Sequence, residues 1–176
     1  MIELIITIVI ASVLIAIAVP SFRTITVSNK LTTAANDIVG AVNLARMEAV
    51  KRNSSTQLCS DSSASNSSDA LGTACGTDTG AVYALGGVAA GAAESAVPVR
   101  AKVTGIAAPI VLTGTLVAIR FSSQGLGHLV TSTAPYSGPI ADVSTTNIST
   151  DNHRCIRMTS GSILTVTKQS DACPTI

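Results

Sequence analysis

Residues 4–22, LIITIVIASVLIAIAVPSF, contain no charged side chain. As a helix, those 19 residues span about 28 Å, against a hydrocarbon thickness of roughly 30 Å in a bilayer. A chain holding such a segment must surround it with lipid, with other helices or with a large core. A signal peptide fits poorly, because its apolar part is shorter, follows a basic stretch and ends at a small-residue cleavage site. Here the only early charge is the acidic Glu3. The run length and its excess of Ile and Val also argue against the core helix of a soluble domain. Residues 1–22 therefore read as a membrane helix.

Pro20 removes a backbone donor and is expected to kink or locally melt the helix. Beyond it the apolar positions follow a different rule. Leu31, Ala34, Ala35, Ile38, Val39, Val42, Ala45 and Ala49 recur at helical spacing, with Lys30, Asn36, Asp37, Asn43, Arg46 and Arg52 mostly on other faces. This is an amphipathic helix over residues 23–53, supported by an i, i+4 pair of Glu48 with Arg52 and stopped at Asn53, Ser54 and Ser55. One helix of about 50 residues, some 75 Å long, is thus apolar all round in its first half and one-sided in its second.

Glu3 sits at the apolar end, where an unpaired carboxylate in hydrocarbon costs several kcal/mol. It either stays at the membrane interface or pairs with a neighbouring chain's terminal amine once such helices leave the bilayer and bundle. Residues 2–22, IELIITIVIASVLIAIAVPSF, resemble the N-terminal segment of type IV pilins and pseudopilins, with Glu3 at their early glutamate and Pro20 at their helix-kinking proline. Residues 34–59, AANDIVGAVNLARMEAVKRNSSTQLC, resemble the GspH/FimT family of minor pilins and pseudopilins, whose helix ends in a similar Leu-Ala-Arg-x-Glu-Ala pattern before a first strand. Residues 119–128, IRFSSQGLGH, resemble that family's strand and glycine turn. The resemblance implies a basic leader ending in Gly and a methylated Phe upstream of Met1, so the sequence is expected to begin inside a longer precursor. It also implies other major and minor pilins as partners, storage in a bacterial inner membrane with a periplasmic head, and a filament as the destination.

Residues 54–176 are rich in Ser, Thr, Gly and Ala and read as a β-rich head. Strands are expected at 56–59, 81–85, 97–103, 110–112, 116–121, 128–133, 154–159 and 163–168. Residues 60–80, SDSSASNSSDALGTACGTDTG, read as a surface loop. Val82, Val99, Val103, Leu116, Ala118, Phe121, Leu129, Ile156, Met158 and Val166 are the candidates to cover the apolar stripe of the helix. The expected fold class is α+β, one long helix packed on antiparallel sheet.

Cys59, Cys75, Cys155 and Cys173 fall into two local pairs without a short C-x-x-C. His128 and His153 do not supply zinc-ligand spacing, so no metal or other cofactor is expected. Two disulfides fit better and imply an oxidising compartment. The pairs 59–75 and 155–173 close the shortest loops, each constraining the unfolded chain by about 3 kcal/mol. No G-x-S-x-G, H-E-x-x-H or phosphate loop appears, so catalytic residues are not assigned and no enzyme is expected.

Eleven basic and ten acidic residues leave a net charge of +1, too little to draw in nucleic acid from a distance. Competence pilins that bind DNA carry a Gly-Arg-x-Arg pattern near the C-terminus, and the corresponding place here reads Gly161, Ser162, Ile163, Leu164. Arg120, Arg154, Arg157 and Lys168 remain as candidate DNA contacts if they cluster on neighbouring strands, and DNA is not the favoured partner. The leading reading is a minor pilin-like subunit that primes or caps a type IV pilus. A type II secretion pseudopilin and a DNA-binding minor pilin are the alternatives.

Overall fold

The computed structural model describes residues 2–86 and 94–174. α1 (Ile2–Arg52) is one helix of 51 residues. Its backbone stays helical through position 20, without the local melt that is one of the two outcomes expected of Pro20. It ends at Asn53, whose φ of 49° is left-handed, a conformation asparagine tolerates better than most residues. The Asn53 and Ser54 amides then donate to Val50 O and Ala49 O, closing the last turn.

In the second half of α1 the amphipathic phase is realised in full. Leu31, Ala34, Ala35, Ile38, Val42, Ala45 and Ala49 are fully buried, joined by Ala41, while Val39 packs at the margin. Each fully buried Leu, Ile or Val adds about 2 kcal/mol relative to exposure, and the alanines let the helix axis lie close to the strands.

Those strands form two antiparallel sheets. The first has the order β3 (Ala96–Arg100), β2 (Val82–Leu85), β1 (Thr56–Leu58), β5 (Ile119–Phe121) and β6 (Gly127–Leu129). The second runs β4 (Val111–Thr113), β7 (Gly138–Ser144), β8 (His153–Thr159) and β9 (Ile163–Gln169). Backbone bonds stitch them at both ends: Val117 N donates to Ile140 O at 2.9 Å, and Gly127 N donates to Gly161 O at 2.7 Å. Gly161 has a φ of +67°, and a Cβ there would lie 2.6 Å from Gly127 O, so this position requires glycine. Phe121, Ile140, Val143, Ile156 and Met158 close the core against α1.

Three expectations need correction. Residues 138–144 were not anticipated as a strand, yet β7 lies between β4 and β8 and is almost wholly buried. Residues 60–80 are not a plain surface loop: they hold a 3-10 turn (Ser63–Ser65) and a short helix, α2 (Ala70–Cys75), with Ser60, Asn66, Leu71 and Cys75 buried. Val166 is 42% exposed and does not cover the helix stripe, because β9 is the outermost strand of its sheet.

Candidate functional site

The first half of α1 stands clear of the head. Ile2, Leu4, Ile10, Ile17 and Phe22 are 73%, 65%, 55%, 67% and 72% exposed, and the other described apolar side chains between them are exposed on every side of the helix. Thr7 and Ser12 turn their hydroxyls inward to donate to Leu4 O and Val9 O, at 2.9 and 2.8 Å. Those bonds leave an outer surface of hydrocarbon, suited to lipid or to other apolar helices. Glu3 lies in the first turn of this surface, and no cation among the described residues pairs with it.

The polar ties between α1 and the head, among the described residues, all land on its second half. Thr56 Oγ1 donates to Ala45 O at 2.7 Å, Arg100 Nη1 to Asp37 O at 2.7 Å, and Arg46 Nη1 to Ser162 O at 3.2 Å. Arg154 makes the tie nearest the exposed half. Its guanidinium reaches from β8 to Ser28 Oγ and Thr32 Oγ1, at 3.1 and 3.3 Å, and also donates to Asp151 O at 2.6 Å. The side chain is almost wholly buried. Desolvation therefore lowers its pKa, partly opposed by the nearby Asp151 carboxylate.

This burial overturns Arg154 as a candidate DNA contact: a guanidinium enclosed between helix and sheet presents nothing to a phosphate. The other candidates do not gather. Arg157 is half-buried, and the strand alternation puts it on the opposite face of β8 from Arg154. Lys168 is exposed on β9 directly across from Arg154. Arg120 belongs to the other sheet, where its Nη1 lies 2.7 Å from Asp69 Oδ2.

Both cysteine pairs are disulfides, Cys59 with Cys75 and Cys155 with Cys173. Around the second, His153 Nδ1 and Cys173 N approach the Asp142 carboxylate at 2.8 and 3.1 Å. Asp142, His153 and Cys173 sit within ligand distance of one another, but the Cys173 sulfur is bonded to Cys155 and offers no thiolate. The group is a clasp that holds the tail against β7 and β8.

A second clasp, not foreseen, organises residues 57–76. Asn66 accepts from Gln57 Nε2 and Ser60 N, and donates to Ser60 O, Ser62 O and Gly76 O. Asp69 caps α2 through Gly72 N. Partial burial would raise its pKa, but hydrogen bonds from Arg120, Ser67 and Gly72 N hold it well below the ordinary value of 3.8. The signal for this cap was present in the sequence, an Asp three residues ahead of Gly72 beside Leu71.

A long N-terminal helix, half bare and half packed on antiparallel sheets, with a disulfide-closed head, defines a pilin-like structural subunit. Residues 34–162, more than half of the chain, match the family model described as "Type II transport protein GspH", and the chain belongs to this GspH family. Its fold is similar to the crystal structure of the type IV minor pilin FimU from Pseudomonas aeruginosa, with a TM-score of 0.50 and 18% identity over 84% of this chain and 95% of that one. No curated protein sequence matches it.

Proposed function

We propose that this chain is a minor subunit of a type IV pilus-like filament, which it helps to prime or cap. Residues 2–22 hold it in the bacterial inner membrane before assembly and lie in the filament core afterwards, with the head periplasmic at first and displayed on the filament later. The observation that carries this reading is the bare apolar half of α1, whose surface is hydrocarbon on every side. Lipid and a bundle of similar helices are the two surroundings that suit it, and other major and minor pilins supply the second. Glu3 sets register there by pairing with a neighbour's terminal amine. Pro20 gives the helix a place to bend on leaving the bilayer.

The experiment is Glu3→Ala. The variant keeps its hydrophobicity, so it is expected in the membrane fraction at wild-type level but depleted from sheared, purified filaments. Normal incorporation would overturn the role given to Glu3. A type II secretion pseudopilin is the second reading, favoured by the description of the matched family. Deleting the gene separates them: loss of surface filaments supports the pilus, and loss of exported enzymes with filaments intact supports the secretion system. DNA binding is expected to stay at a non-specific Kd of roughly 10⁻⁴ M or weaker at physiological salt. Micromolar binding that is lost on Arg157→Ala and Lys168→Ala would reverse that ranking.

A further inference from the structure

The four sheet edges differ in how they are protected. β3 carries Pro98 and pairs with β2 through a register shift. β4 and β6 are three residues long, and the chain beyond β6 folds back to bridge His128 to Pro135. Short strands, prolines, bulges and charged side chains, lysine above all, are the devices that keep edges from pairing with other chains. β9 carries only the last of these, in the single charge of Lys168 near its C-terminal end. It is seven residues long, ILTVTKQ, without proline or glycine, and it pairs with β8 in unbroken register from Thr159↔Ile163 to His153↔Gln169. The tail leaves it open, because Cys173 is drawn back to Cys155 on β8 and its N–H to Asp142 on β7. Among the described residues only β8 makes backbone bonds to β9. Ile163 and Val166 are 59% and 42% exposed.

We infer that β9 is an interaction edge that pairs antiparallel with β9 of a second copy of this chain, extending the four-stranded sheet across a two-fold axis at Val166. A row of unpaired amides and carbonyls is matched by extended polypeptide, and the segment is complementary to itself. An axis at Val166 sets Val166 against its copy, Thr165 against Thr167, Leu164 against Lys168 and Ile163 against Gln169. β-branched residues then meet at the centre, and the one charge never faces its like. An axis at Lys168 would oppose two ammonium groups. The contact is separate from α1 and does not depend on the filament reading.

The test uses the full chain in detergent, with mass followed by sedimentation over a concentration series. Wild type is expected to dimerise. Val166→Lys and Val166→Glu, both at an exposed position, are each expected to weaken the dimer by about tenfold or more through like charges placed face to face. An equimolar mixture of the two variants is expected to recover it as a heterodimer. Association through α1 is common to all four samples and cannot produce this pattern. Near-ultraviolet circular dichroism checks that each variant keeps its head folded. A wild type that stays monomeric at its highest soluble concentration, a dimer that both variants leave intact, or a mixture that fails to recover overturns the proposal.

Discussion

α1 places its side chains by two opposite rules along one continuous backbone. From residue 28 onward, one face carries Leu31, Ile38 and Val42 among alanines and disappears into the head. Before residue 23, apolar residues fill every face and none of those described is covered. The difference shows that hydrophobicity alone does not say what a helix packs against. The angular spread of the apolar residues does: a stripe means one neighbour, and a full circle means a surrounding medium.

The sharpest way to break this contrast is to remove the same kind of atoms from each half. Ile38→Ala opens a cavity between α1 and the sheets and is expected to lower the stability of the head by about 2–5 kcal/mol, measured by denaturant unfolding of the full chain in micelles. Arg154→Ala comes next, at about 2–3 kcal/mol, since it leaves Asp151 O without its buried donor and removes the tie to Ser28 and Thr32. Lysine at this position is not expected to restore the loss, because a point charge cannot reproduce the guanidinium fork.

A smaller effect tests the head without touching α1. Asp69 has a lowered pKa when folded, so its ion pair with Arg120 stabilises fully above the ordinary value of 3.8 and is lost as pH falls below it. Asp69→Asn keeps a capping oxygen and removes the charge. The variant is expected to be weaker than wild type by about 1 kcal/mol at most near neutrality, with the gap closing in acid. A gap that widens below pH 3.8 would contradict this assignment. Last, Ile10→Ala is expected to change the head's unfolding free energy by less than about 0.5 kcal/mol. A loss comparable to that of Ile38→Ala would mean that the bare half is not bare.

The helix was legible because its two periodicities are written in consecutive residues. The disulfide pairs were legible too, since short loops limit the choices. β7 was not, because Gly138, Pro139 and Asp142 read as turn formers. Its burial comes from β4 and β8 on either side, and Pro139 is tolerated beside a register shift in the pairing with β8. Arg154 failed for a related reason. A buried guanidinium is identified by its partners, and Ser28 lies 126 residues away in sequence. Asn66 sits in a run of serines whose composition looks like solvent-exposed loop, while its hydrogen bonds span Gln57 to Gly76.

The Cys155–Cys173 bond also decides how the head carries load. A pull on the tail does not peel β9 from the sheet, because the covalent path leaves residue 173 for residue 155 in the middle of β8. Tension therefore enters a strand that is bonded on both sides, to β7 and β9. From there it passes through Arg154 directly into Ser28 and Thr32 of α1. The head thus has a short mechanical route from its C-terminal end to its anchor, and β9 lies outside it.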